Sequence, residues 1–157
     1  MPESPAAPSA ADREIVVTRH FDAPRALVFD AFVDPARVSG WWGPRGFTTT
    51  TAGAMDVRPG GAWRHTMHGP DGADYPNLLV YREVVRPERL VWDHYGADES
   101  APDFRATVTF AERGGGTEVA LCLRPPTAEA CEAKRRGGVV EDAEQMLERL
   151  AARVAHV

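Results

Sequence analysis

Apolar and polar positions alternate with a period of two in "REIVVTRHF" (Arg13–Phe21). Ile15, Val17, Arg19 and Phe21 share one face, and Val16, Thr18 and His20 the other. In a β-branched run that period predicts a strand. The period changes in "DAPRALVFDAFVDP", where Leu27, Val28, Ala31 and Phe32 recur at helical spacing. Pro24 suits the first position of this helix, with Asp22 or Ala23 as its cap, and Pro35 ends it or begins a second short helix.

From Phe47 to Arg124 the period of two returns. "TTTTAGAMDV", "AWRHTMH", "LLVYREVV", "LVWDHY", "FRATVTFAE" and "TEVALCLR" read as six strands. They are separated by the turn-rich "RPGG", "GPDGADYP", "RPER", "GADESAP" and "RGGG". Trp63, His65 and Met67 share a face. So do Phe104, Ala106, Val108 and Phe110, and so do Val119, Leu121 and Leu123. Such alternation implies an antiparallel sheet packed on one side and wet on the other. The last segment, roughly Gly137 to Ala155, is helical, with Val139, Ala143, Met146, Leu150 and Val154 on one stripe. Acidic residues come early in it, and Arg149 and Arg153 late, as the helix dipole favours.

The predicted order is strand, one or two short helices, six strands, long helix: an α+β fold with a curved seven-stranded antiparallel sheet around a long C-terminal helix. One helix about 10 Å wide cannot fill the concavity of so wide a twisted sheet. A cavity between sheet and helix follows. "DPARVSGWWGP" bears on it directly, because Trp41 and Trp42 stand in a stretch broken by Pro35, Gly40, Gly43 and Pro44. Either ring could plug the core or line a rim, where tryptophan offers apolar area and an N–H. The expectation is that the pair closes one end of the fold and that its inner ring is open to a ligand.

Composition narrows the chemistry. The 157 residues carry a net charge of −5, and the only basic block is Lys134-Arg135-Arg136, so nucleic acid is not an expected partner. Lys134 is the sole lysine, placed in a solvated loop, which argues against a buried Schiff base. Cys122 and Cys131 form no disulfide framework, and Cys131 is expected in a loop or first turn beside Glu129 and Glu132. No apolar run is long enough to span a membrane, and cytoplasmic residence is the default. Residues 1–12, rich in Pro, Ala and Ser, read as a disordered tail, with one domain over residues 13–157.

Reactive constellations are few. His65 and His68 are three apart on a strand and point to opposite faces, so they cannot share an ion; no metal and no cofactor is expected. Ser39 lacks the nucleophile-elbow context, and the glycine runs are hairpin turns rather than phosphate loops. Strand parity puts His65, Tyr81, Glu83 and His94 on inward faces. They are either a general acid–base set or hydrogen-bonded structural groups. Arg19 pairs with Glu83 in the interior or turns out at a sheet edge. The inward apolar groups are Trp63, Met67, Trp92 and Met146.

The stretches "TRHFDAPRALVFDAFVDP", "WWGPRGFTTT", "DVRPGGAWRHTMHGPDGADYP", "VYREVVRPERLVW" and "GGGTEVAL", in that order, resemble the START-like helix-grip superfamily, often called SRPBCC. Within it, the chain resembles the activator-of-heat-shock-ATPase-homologue-like family. The resemblance implies a helix-grip fold and three possible roles. These are a binder of a small hydrophobic or aromatic molecule, a cyclase- or dehydratase-like enzyme on a polyketide-like substrate, and a co-chaperone-like interaction module. A chaperone partner and a homodimer are further expectations. Two positions depart from the family's pattern. Leu79 stands where that strand usually has glycine, and Val139 where the final helix often has tryptophan. The first substitution would narrow a pocket and the second widen it. The leading expectation is a ligand site made by Trp41, Trp42, Trp63, His65, Met67, Tyr81, Glu83, Trp92, His94 and Met146.

Overall fold

A computed structural model describes residues 13–154. The expected disordered tail and the last three residues lie outside them. The elements run β1 (Ile15–Phe21), α1 (Arg25–Val33), α2 (Pro35–Val38), β2 (Thr48–Ala52), β3 (Ala62–His68), β4 (Asp74–Val85), β5 (Arg89–Tyr95), β6 (Phe104–Arg113), β7 (Gly116–Arg124), α3 (Ala128–Arg136) and α4 (Val139–Val154). The strands form one curled antiparallel sheet, ordered β1-β7-β6-β5-β4-β3-β2. The chain thus enters at one edge of the sheet, crosses by way of α1 and α2 to the other edge, and returns through successive hairpins. α4 packs on the concave face, against β1 and α1.

Register carries the inward parity across the sheet. Trp63 lies opposite Leu79, Leu79 opposite His94, Tyr81 opposite Trp92, Trp92 opposite Ala106 and Ala106 opposite Leu123. These residues, with Val108, Phe110, Val119 and Leu121, are buried beneath α4 and α1. α4 contributes Ala143, Leu147, Leu150 and Val154. Leu147 takes the fully buried place, whereas Met146, assigned to the stripe by spacing, sits at its margin. α1 buries Phe29 as well as Phe32, because Phe110 meets both rings edge-on at 5.2 and 5.3 Å. Asp34 caps α2 by accepting from the Ala36 N–H at 2.9 Å, so Pro35 begins a second helix.

Two expectations are corrected. Glu83 does not face inward. β4 carries a bulge between Tyr81 and Glu83, where Arg82 is the extra residue opposite β5. The bulge reverses the parity, so Glu83 is exposed beside Arg89 while Val84 packs on the core. Of the two readings open to Arg19 the second holds: it lies exposed on the edge strand β1. Lys134 is not in a loop, and of the two places open to Cys131 the first turn of a helix is the one it takes. They belong to α3, capped by Thr127, whose hydroxyl accepts from the Ala130 N–H at 3.0 Å, and Cys131 is its buried residue.

On the convex face Asp93 is only 4% exposed. Arg82 and Arg105 flank it, donating through Nε at 2.7 and 2.8 Å. These charge-assisted bonds hold its carboxyl below the ordinary carboxylate range against the opposing effect of burial.

Candidate functional site

The space left between sheet and α4 is a cavity of about 250 Å³. Its floor is aromatic and aliphatic: Trp92 from β5, Phe104 from β6, Leu121 and Leu123 from β7. Met67 of β3 and Trp42 close one side, and Val139, Ala143 and Met146 of α4 form the roof. Asp103, Asp142 and Pro44 stand at the solvent-facing rim. Burial and the neighbouring Glu141 raise the Asp142 carboxyl above its usual range.

Trp41 and Trp42 divide the two roles open to them. Trp41 is fully buried in the core end, edge-on to Phe32 at 4.6 Å, and its Nε1 donates to the Ala31 carbonyl at 3.1 Å. Trp42 faces the cavity. Its ring meets Trp63, His65 and Trp92 at centroid distances of 5.0, 5.7 and 6.0 Å. The turn that presents it needs Gly43, whose φ of +96° is a left-handed conformation and whose missing side chain would press on Met67 and Phe47. The same turn is tied to α4. Arg149 donates to the carbonyls of Trp42, Gly43 and Pro44, Gln145 accepts from the Arg45 N–H, and Glu148 pairs with the Arg45 guanidinium.

The polar wall is one connected set. Asn77 donates through Nδ2 to the Tyr75 carbonyl at 2.9 Å, which turns its Oδ1 toward His94 Nε2, 2.7 Å away. Trp92 Nε1 donates to His94 Nδ1 at 3.3 Å. Indole is a donor only, so Nδ1 accepts and the proton of His94 resides on Nε2, donated to Asn77. Burial, with lesser contributions from His65 and Lys134, depresses the imidazole pKa to about 3. His94 is neutral at physiological pH. It stacks on Phe104 at 4.5 Å, and Lys134 lies 5.1 Å from that ring.

Of the residues expected to form the site, Trp42, Met67, Trp92, His94 and Met146 line the cavity. Trp41, Trp63, His65 and Tyr81 are buried in the core around it, and Glu83 is on the opposite face. Burial alone depresses the His65 pKa to about 3 and raises that of the Tyr81 hydroxyl. The four groups read as a possible acid–base set are therefore not assembled at one place. Among the described residues no group of His, Cys, Asp and Glu could hold a metal ion. None of their helices is long and apolar enough to cross a membrane.

The model of the family described as "Activator of Hsp90 ATPase homolog 1-like protein" matches residues 22–155. The chain belongs to that family. Solved structures agree on its fold. Protein Ms6760 from Mycobacterium smegmatis is 26% identical, with a TM-score of 0.81 over 98% of this chain and 97% of that one. A solution structure from Arthrobacter aurescens is 22% identical, with a TM-score of 0.84 over 95% and 90%. The AHSA1 protein of Silicibacter pomeroyi is 22% identical, with a TM-score of 0.70 over 90% and 97%. No curated protein matches the sequence. Val139 lines the cavity, whereas Leu79 is packed in the core beside it.

Asn77, Asp103, Phe104 and Asp142 escaped the sequence reading as site residues. Asn77 had a usable signal. It shares parity with Leu79 and Tyr81, but lies ahead of the apolar run that begins at Leu78, whereas β4 extends back to Asp74.

Proposed function

We propose that this protein binds one small, neutral, largely apolar aromatic molecule between its sheet and α4. The observation that carries this reading is the cavity of about 250 Å³ walled by Trp42, Trp92, Phe104, Met67 and Met146. Such a lining, with a few fixed polar groups, is the usual character of a small-molecule site. The fold of this family commonly binds hydrophobic ligands, which supports the same reading. The His94–Asn77 pair supplies orientation without a charge. The acidic rim, Asp103 and Asp142, disfavours carboxylates at the entrance. The large apolar residues exposed among those described, Val16, Tyr75 and Val85, lie on β1 and at opposite ends of β4, which favours an internal site over a docking patch.

Titration with a panel of neutral aromatic molecules, followed by tryptophan fluorescence and calorimetry, tests the proposal. A saturable one-to-one response is expected from molecules of one or two fused rings. Absence of heat and of any spectral change across the panel rejects it.

A further inference from the structure

His65 is 2% exposed, and among the described residues neither of its ring nitrogens has a hydrogen-bond partner. An imidazole withdrawn from water in this way is a strong exception to the rule that buried polar groups are paired. It stacks on Trp63 at 3.9 Å, and its neighbours on the concave face are walls of the cavity. Asn77 lies directly across on β4, Met67 follows on β3, and the Trp42 ring stands 5.7 Å away, edge to face.

Trp42 is held differently from the other three tryptophans. The indole N–H groups of Trp41, Trp63 and Trp92 donate to Ala31, Thr51 and His94. That of Trp42 has no acceptor among the described residues. Its backbone, in contrast, is fastened: Thr49 Oγ1 and Arg149 both donate to its carbonyl. Reaching His65 from the cavity requires this ring, which packs against Trp41, Trp63, His65 and Trp92, to turn about its side-chain bonds while the chain that carries it stays in place.

We infer that the ligand is a phenol, whose hydroxyl reaches His65 when the Trp42 ring turns aside. This rests on the cavity reading above and specifies it. A neutral imidazole offers one donor and one acceptor on opposite sides of the ring, and a hydroxyl group can pair with either one, by accepting from the N–H or donating to the bare nitrogen. A carboxylate or an ammonium would bring an unpaired charge into the same dry place, at a far larger desolvation cost. The rings of Trp42, Trp63 and Trp92 provide faces and edges for the aromatic part.

Calorimetry with 2-naphthol and its methyl ether, 2-methoxynaphthalene, separates the two ideas. The wild-type protein is expected to bind 2-naphthol roughly ten-fold more tightly than the ether. His65→Phe is expected to bind both equally, near the wild-type affinity for the ether. Nitrogen NMR of the wild-type protein gives a readout that needs no variant: the His65 ring nitrogens shift on adding 2-naphthol and not on adding the ether. Equal binding by the wild type, a preference that survives in His65→Phe, or ring nitrogens that keep a bound water in the 2-naphthol complex overturns the inference and leaves the cavity reading standing. Failure of both molecules to bind overturns this inference, while the wider panel decides the cavity reading.

Discussion

Arg149 holds Trp42 by its backbone. Nη1 of Arg149 reaches the Trp42 carbonyl at 3.3 Å and the next two carbonyls, of Gly43 and Pro44, at 2.9 and 3.0 Å. A guanidinium on α4 thereby fixes the turn that closes the cavity. Arg149→Met removes a donor from four carbonyls, those three and that of Gly40, which Nη2 reaches. A loss of about 2 kcal/mol in urea denaturation at pH 7 is expected, together with weaker ligand binding. Unchanged stability with unchanged binding would show that the turn holds itself.

Val139 marks the roof of the cavity. Val139→Trp puts a large ring into the vacant volume. Aromatic ligands are expected to lose at least about ten-fold in affinity, while stability changes by no more than about 1–3 kcal/mol, since the added ring enters space rather than packed core. Calorimetry and thermal melts on the same sample separate the two effects.

Trp41 and Trp42 should part company in spectroscopy. Of these two, Trp42 alone lines the cavity. Trp42→Phe is expected to remove a large share of the ligand-induced fluorescence change and Trp41→Phe to leave it nearly whole. Trp41→Phe should cost stability instead, about 1–3 kcal/mol, because it vacates core volume and leaves the Ala31 carbonyl without its donor.

The buried histidines set a pH dependence with a definite sign. His65 and His94 have a folded pKa of about 3, against the ordinary 6.5 of the unfolded chain. As pH falls, the unfolded chain takes up protons first. Stability is whole above pH about 6.5 and declines through the window down to about 3, by at most ~1.4 kcal/mol per pH unit for each histidine. His65→Phe should make that slope shallower by up to one proton in denaturation curves at pH 7, 6, 5 and 4.

Asp93 acts lower on the scale. Its carboxyl is depressed by Arg105 and Arg82, so its contribution is present above the ordinary carboxylate range and is lost as pH drops through its lowered value. Asp93→Asn is expected to remove about 1–2 kcal/mol at neutral pH, a figure kept small because both arginines are half exposed. It should also lessen the loss of stability below the ordinary carboxylate range while leaving the slope between pH 7 and 5 unchanged.

The strands were legible because parity is local. Ile15 and Val17, Trp63 and His65, Val108 and Phe110 each announce a face without reference to anything distant. The same rule failed at Glu83, since a bulge adds one residue and inverts every position after it, and nothing in "YREVV" signals the insertion. α3 was missed because it buries Cys131 and almost nothing else, so it has no apolar stripe; Thr127 with Glu129 two residues later was the signal that remained. The division between Trp41 and Trp42 could not be read at all. Two identical side chains in consecutive positions carry one pattern, and only Phe32 on one side and the void beneath α4 on the other tell them apart.

By itself, the order of apolar and polar residues determined the seven strands, the closing helix and the need for a hollow between them. Periodicity reflects which side of an element avoids water, and that choice is made within a few residues. Tertiary structure alone decided which side chains border the hollow, how Asn77 and Trp92 orient the proton of His94, and why His65 is left without a partner. Those outcomes depend on the register of distant strands and on how α4 closes over them, and no short stretch of chain contains that information.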